Sequence, residues 1–244
     1  MTVYIDARKR RPTSWVPGAH WADLESDLSN PGDPAVGGRH PLPSLTAWCR
    51  TVGRWGIGPD TDVVVYDDKN GGLAAARVWW MLQAVGHTSV SVCTLLELSM
   101  ELTTSASNTV DVGVYPAQRW HWPMVDGDVV DVRRSDPTWR VIDARSHVRF
   151  VGEYEVIDPV AGHIPGAHNL PWEETIELAQ AEERLSAILG EVPMDRVIVH
   201  CGSGVTACHT LLQMHRLGLA RAAMYVGSWS EWCRDETREL SPDR

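Results

Sequence analysis

The feature that most constrains the fold of this 244-residue chain is an internal repeat. Three segments of the N-terminal half return in the same order, at similar spacing, in the C-terminal half. Residues 3–8 return as 140–145, residues 15–20 as 163–168, and residues 63–67 as 197–201. Ordered repeats of this length indicate two copies of one structural unit. Because the strand segments are short Val- and Ile-rich runs, typical of parallel strands, we expect an α/β fold with two tandem parallel sheets flanked by helices.

Cys201 stands at the end of the last repeated strand, before a loop of Gly, Ser, Gly, Val and Thr and a helical segment. Ligands of open α/β sheets bind at the carboxyl ends of strands, where the next helix presents unpaired N–H groups. Such a loop favours a thiolate and stabilises a bound anion. The alternative is a small buried cysteine that packs as an apolar residue.

Ala207 limits the chemistry that this loop can perform. Cysteine phosphatases place an arginine six positions after the cysteine, where its guanidinium clamps phosphate. Here that position is alanine. Arsenate or phosphate-ester chemistry is therefore disfavoured, whereas a cysteine that accepts a neutral sulfur atom and becomes a persulfide remains possible.

The loop 201–207, Cys-Gly-Ser-Gly-Val-Thr-Ala, resembles the active-site loop of the rhodanese superfamily, specifically its 3-mercaptopyruvate sulfurtransferase branch. The resemblance implies two tandem rhodanese-like domains and a nucleophilic Cys201. It also implies that no organic cofactor or metal is needed. The remaining residues of the active-site loop are then Gly202, Gly204, Val205 and Thr206, together with Ser203.

The repeat also predicts which copy is catalytic. Where the second copy has Cys201, the first has Asp67, and a carboxylate cannot take up sulfane sulfur. We therefore expect residues 1–102 to form a catalytically silent rhodanese-like domain, 103–122 a linker, and 123–244 the catalytic domain.

Arg149 is the main candidate for binding the substrate. Residues 149–152, Arg-Phe-Val-Gly, resemble a family segment whose arginine binds the substrate's carboxylate or sulfonate, as a guanidinium fork does well. The alternative is an ion pair with Glu153 or Glu155. Arg145 and Trp229 are further candidates, with Trp229 as a wall of the pocket.

His40 and Ser203 are candidates for general acid–base catalysis. The segment 38–43, Gly-Arg-His-Pro-Leu-Pro, resembles the family segment whose histidine works with the loop serine and an acid. The acid here is Asp27 or Glu25, and spacing does not decide between them. The group would deliver a proton to the enolate leaving group of mercaptopyruvate. A solvent-exposed loop histidine is the alternative.

Net charge and the number of cysteines indicate which partners and which compartment this chain is suited to. A net charge of −10 argues against nucleic acid, and the basic run 8–11 is interpreted as a solvated loop. The chain has no apolar run long enough for a membrane span and no signal peptide. The cysteines are odd in number and scattered, so we expect a cytoplasmic protein without disulfides or zinc. Cys208 and His209 are adjacent on a helix and point different ways, which disfavours a metal site.

Together these features predict a sulfurtransferase. Cys201 takes sulfane sulfur from 3-mercaptopyruvate or thiosulfate and passes it to a thiol or cyanide, with ping-pong kinetics. The expected partners are a small anionic donor and a thiol acceptor, either a small thiol or a thioredoxin-like protein. The alternative is a non-catalytic or sensory rhodanese module that binds an anion or presents a persulfide to a protein.

Periodicity and capping predict several elements directly. Ser44 should cap a helix over 44–55. Further helices are expected over 73–85, with residues 79–82 in the core, and over the acidic segment 173–189. Strands are expected over 63–66, 90–92, 139–144 and 223–226.

Overall fold

The computed structural model describes residues 2–69, 71–104 and 111–241. The chain forms two compact units. The first comprises Met1–Asn30 and Leu42–Trp122, and the second comprises Pro31–Pro41 and Pro123–Arg244. The segment Pro31–Pro41, which contains His40, therefore groups with the C-terminal half of the chain. Of the predicted linker, residues 105–110 lie outside the described residues.

The first unit is an α/β unit with four parallel strands in the order β2-β1-β3-β4. Its elements are β1 (Thr2–Asp6), β2 (His20–Trp21), α1 (Leu45–Arg54), β3 (Asp62–Asp67), α2 (Ala74–Ala84) and β4 (Val90–Thr94). Every residue of α2 is buried, and the predicted core run 79–82 is confirmed. A helix that is buried all round belongs in the interior, where it supports the sheet.

The second unit is a five-stranded parallel sheet in the order β5-β9-β8-β6-β7. Its elements are β5 (Met124–Val125), α3 (Gly127–Arg133), β6 (Arg140–Asp143), α4 (His147–Phe150), β7 (His168–Asn169), α5 (Leu178–Leu189), β8 (Val197–His200), α6 (Ala207–Arg216), β9 (Ala223–Tyr225) and α7 (Ser228–Trp232). Strand β8 is central, and all four of its residues are buried. The loop that follows β8 therefore begins at the carboxyl end of a buried, central strand.

The two sheets repeat the same pairing. In the first, β1 lies beside β3, with Asp6 opposite Tyr66. In the second, β6 lies beside β8, with Asp143 opposite His200. Because parallel strands end at the same edge of a sheet, the segments that follow each pair meet there. Both parallel-sheet α/β units predicted from the repeat are confirmed.

Local signals predicted most element boundaries, with one exception. Helix α1 is capped as expected, since the Ala47 N–H donates to Ser44 Oγ at 3.2 Å. The acidic helix predicted over 173–189 begins only at Leu178, because Trp172–Thr175 forms a separate 3-10 turn. The turn exposes its carbonyls to α6, where Gln213 Nε2 donates to Thr175 O at 2.6 Å. Tertiary hydrogen bonds therefore replace the first helical turn.

Candidate active site

Cys201 lies in the first position after β8, with 2% of its surface exposed. Its Sγ accepts a hydrogen bond from the Gly204 N–H at 3.1 Å. Gly204 has a φ of 75°, a conformation that glycine adopts without strain. The loop therefore turns back so that a backbone donor faces the sulfur, and such a donor stabilises negative charge there.

The loop is held in place by α7. The N–H groups of Trp229 and Ser230 donate to the carbonyls of Cys201 and Gly202, each at 2.9 Å. The Cys201 N–H donates to Ser228 Oγ at 3.2 Å, and that hydroxyl donates to Tyr225 O at 3.0 Å. Ser228 is fully buried with a φ of 57°, which is uncommon for a residue with a side chain. A strained, buried serine thus connects the end of β9 to the cysteine.

His40 and Ser203 are brought together within the second unit. His40 Nδ1 and Ser203 Oγ lie 2.7 Å apart, and Ser203 is 6% exposed. The predicted acid, Asp27 or Glu25, belongs to the first unit, and its pairing with His40 stays a prediction. Within that unit Asp27 accepts a hydrogen bond from Arg54 Nη2 at 3.1 Å.

Two guanidinium groups lie against Gly202. A Cβ placed on this glycine would be 3.2 Å from Arg149 Nη1 and 3.3 Å from Arg39 Nη2. Arg149 was predicted to bind the substrate's carboxylate or sulfonate, whereas Arg39 was not assigned a role from the sequence. The available signal was its position directly before His40 in the segment 38–43. The absence of a side chain at 202 leaves room for both cations beside the cysteine.

Asp158 forms ion pairs with both of these arginines. Its Oδ2 lies 3.2 Å from Arg149 Nη2, and its Oδ1 pairs with Arg39 Nη1 and lies 3.0 Å from Arg234 Nη1. Glu155 accepts from Arg149 Nε and Nη2 at 2.9 and 2.7 Å. The alternative prediction, an ion pair between Arg149 and Glu155, is therefore present, but it leaves Arg149 Nη1 facing the loop.

The ion pairs around the loop contain more arginines than carboxylates. Four arginines and three carboxylates form one network of ion pairs: Arg39, Arg145, Arg149 and Arg234 with Asp143, Glu155 and Asp158. One positive charge is left over. A small anion at Gly202 would balance it, because partly buried cations are screened little by solvent.

Comparison with known proteins agrees with this geometry. The family "Rhodanese-like domain" matches residues 126–235. A "Probable 3-mercaptopyruvate sulfurtransferase" of Pseudomonas aeruginosa is 37% identical over 241 residues, which cover 93% of this chain and 84% of that protein. The chain belongs to the rhodanese family of sulfurtransferases.

Other members of the rhodanese family show the same similarity. The thiosulfate sulfurtransferase of Mus musculus is 32% identical over 245 residues, covering 93% of this chain and 80% of that protein. The crystal structure of SseA from Escherichia coli, described as a 3-mercaptopyruvate sulfotransferase, is 27% identical. It matches with a TM-score of 0.74 and covers 94% of this chain and 93% of that one. The chain is therefore similar both to proteins named 3-mercaptopyruvate sulfurtransferase and to proteins named thiosulfate sulfurtransferase.

Arg145 and Trp229, which were predicted to bind substrate, are both buried in the second unit. The Arg145 side chain is 1% exposed, and its Nη2 binds Asp143 Oδ2 at 2.6 Å and Gly162 O at 2.8 Å. Its guanidinium lies 4.7 Å from the centre of a Trp229 ring that is fully buried. Burial acts to raise the pKa of the Asp143 carboxyl, but the neighbouring Arg145 guanidinium outweighs this effect and holds that pKa below its ordinary value. Their contact with substrate stays a prediction.

In the first unit, Asp67 occupies the position that Cys201 has in the second. Its carboxylate is buried and accepts four backbone N–H groups, those of Lys69, Gly71, Leu73 and Ala75, at 2.8 to 3.3 Å. The loop donors that could face a ligand are thus directed at the protein's own carboxylate.

The remaining loop residues and the neighbouring cysteine lie in or next to the start of α6, and the predicted role of Val205 and Thr206 in the active-site loop stays a prediction. Val205 is buried, Thr206 precedes α6 as its cap residue, and Cys208 Sγ donates to Gly204 O at 3.3 Å. His209 Nε2 contacts Thr175 O at 3.2 Å.

Among residues 2–69, 71–104 and 111–241, no group of three or more His, Cys, Asp or Glu is placed to hold a metal ion, and no helix is long and apolar enough to cross a membrane.

Proposed function

We propose that this chain transfers sulfane sulfur from a small anionic donor to an acceptor through a persulfide on Cys201. The preferred donor is 3-mercaptopyruvate, with thiosulfate as the poorer one. The observation that carries the proposal is the 2.7 Å hydrogen bond between His40 and Ser203, two residues after the buried cysteine.

The first step forms the persulfide. The Cys201 thiolate attacks the sulfur of mercaptopyruvate, the C–S bond breaks, and its electron pair leaves on carbon as the enolate of pyruvate. The enolate needs a proton, and the Ser203 hydroxyl, hydrogen-bonded to His40, is placed to supply it as general acid. Sulfite, the product from thiosulfate, needs no such proton. The Ser203–His40 pair therefore favours mercaptopyruvate.

The donor's carboxylate is held by the two arginines at Gly202. Arg149 Nη1 and Arg39 Nη2 face the same point of the loop, and each is a donor that matches a carboxylate. Asp158 and Glu155 keep both guanidiniums oriented, so little side-chain entropy is lost on binding.

In the second step, a thiolate or cyanide attacks the outer sulfur, and its S–S bond to Cys201 breaks to regenerate the cysteine thiolate. The acceptor is a small thiol or a thioredoxin-like protein. A cytoplasmic location suits this chemistry, because thiol acceptors stay reduced there.

Apart from Pro31–Pro41, which carries His40 and groups with the second unit, the N-terminal domain, residues 1–102, is proposed to be catalytically silent. Asp67 is not a sulfur nucleophile, and its carboxylate already accepts four of the backbone N–H groups that follow it. The domain assignment 103–122 for the linker and 123–244 for the catalytic domain is kept as part of this proposal.

Intact mass spectrometry tests the function directly. Wild type and Cys201→Ser are incubated with 3-mercaptopyruvate or with thiosulfate. We expect wild type to gain one sulfur atom, more readily from mercaptopyruvate, and to lose it on addition of thiol; Cys201→Ser gains none. If wild type gains no sulfur from either donor, the chain is a binding or sensory module and the proposal is wrong.

A further inference from the structure

A cavity lies in the first unit. Its volume is about 420 Å³, and it is formed by the segment after β1 and the segment after β3. The lining includes the basic residues Arg8, Lys9, Arg10, Arg11 and Lys69. The basic run 8–11, interpreted from the sequence as a solvated loop, thus forms one wall of a cavity, and Lys69 comes from the other wall.

This cavity is the counterpart of the active site in the internal repeat. In the first unit Arg8 Nε donates to Asp6 Oδ1 at 3.0 Å, and Arg8 Nη2 donates to Ser14 O at 2.6 Å. Arg145 makes the same two kinds of contact in the second unit, with Asp143 and Gly162 O. The arginine held by an aspartate at the end of the first long strand is therefore repeated in both units.

We propose that this cavity is a second, non-covalent binding site for a small dianion of the thiosulfate or phosphate class. No covalent step can occur there, because Asp67 replaces the cysteine. The backbone donors of the loop are directed at Asp67, so the ligand is held by side chains, through charge-assisted hydrogen bonds from arginine and lysine.

The charge at this cavity is suited to an anion. The lining has five basic side chains and one carboxylate, that of Asp68, and Arg8 is paired with Asp6, so positive charge is in excess. This occurs in a chain whose net charge is −10, so the local excess is opposite to that of the whole protein.

Arg11 is positioned by two aromatic rings. Its guanidinium carbon lies 5.8 Å from the ring centre of Trp15 and 6.0 Å from that of Trp21. Such contacts restrict a long side chain without consuming its hydrogen-bond donors. The cavity therefore has one anchored arginine, Arg8, and one held by stacking, before any ligand binds.

Calorimetric titration with inorganic phosphate and with thiosulfate, at low ionic strength, tests the site in a Cys201→Ser background that cannot turn over. The double variant Arg10→Ala with Lys69→Ala removes two cations from the cavity. We expect it to weaken one binding event about tenfold and to keep the other. Arg149→Ala should do the reverse, and Arg50→Ala, an exposed cation on α1, should change neither.

Two results would overturn the proposal. One is a binding isotherm of the double variant that equals that of the background protein. The other is an equal loss with Arg50→Ala, which would mean that the anion senses only the general charge of the surface. Persulfide formation, measured separately in Arg10→Ala with Lys69→Ala on the wild-type chain, tests the proposed function independently, and thermal melting confirms that each variant is folded.

Discussion

Asp158→Asn is the substitution that most directly probes the arginine cluster behind the loop. Asparagine preserves the size of the side chain but removes the charge that Arg39, Arg149 and Arg234 share. Asp158 is itself fully buried at its side chain. Its loss leaves Glu155 to hold Arg149 and places three guanidiniums close together with too little negative charge.

The expected magnitude follows from burial. Removing one partner of a buried ion pair costs about 3–5 kcal/mol, because the remaining charge stays desolvated. The three arginine side chains are 20%, 17% and 21% exposed, so water screens them in part. We expect a loss at the low end of that range, about 3 kcal/mol. The displaced guanidiniums should also lower kcat/KM for mercaptopyruvate about a hundredfold, as small misplacements of binding groups do.

Two assays check this expectation. Urea unfolding, followed by fluorescence, measures the midpoint at which the second unit unfolds, and steady-state kinetics measures kcat/KM. The matched control is Asp195→Asn, an exposed aspartate of the same unit, which should alter neither. If Asp158→Asn unfolds at the same urea concentration as Asp195→Asn and keeps its kcat/KM, the argument that Asp158 positions the arginines is refuted.

Three further changes have distinct signatures. Ser203→Ala should lower kcat with mercaptopyruvate about a hundredfold and change persulfide formation from thiosulfate little, since only the enolate needs a proton; equal losses with both donors would contradict this role. Trp229→Ala should lower the free energy of unfolding in urea by about 3–5 kcal/mol because it leaves a cavity in the core of the second unit, whereas Tyr154→Ala, at an exposed position, should lower it little. Burial lowers the pKa of His200 below its ordinary 6.5, so the unfolded chain takes up a proton first and stability falls as pH drops through 6.5. His200→Gln should flatten the fall in unfolding free energy between pH 7.5 and 5.5 by up to about 1.4 kcal/mol per pH unit, and an unchanged slope would count against this reason.

Local features of the sequence predicted much of the fold. The repeat predicted two parallel α/β units, and the Val-Ile-Val run predicted the buried strand before Cys201. Ser44 predicted the start of α1, since its cap needs only residues three positions away. The helix predicted from 173 failed for the opposite reason. The carbonyl of Thr175 is bound by Gln213 of a distant helix, which periodicity cannot detect.

The candidate site was predicted where the chemistry lies in short segments. Cys201, Ser203, His40 and Arg149 were each found from a motif, and the structure brings all four into one unit. Arg39 was missed, although it stands beside His40 in the same segment. Its relevance depends on Gly202, which lies far away in the chain and has no side chain to signal a contact.

The sequence by itself determined the number of sheets, the position of Cys201 at the end of a buried strand and its replacement by Asp67 in the first unit, because each depends on residue type and on neighbours a few positions away. Only the tertiary structure decided which charges meet. Arg39 and Arg149 converge on Gly202, with Asp158 between them, while Arg145 and Trp229 are buried below. Burial and ion pairing are set by the packing of distant segments, so a motif can name an arginine but cannot tell whether it faces a ligand or a carboxylate of its own chain.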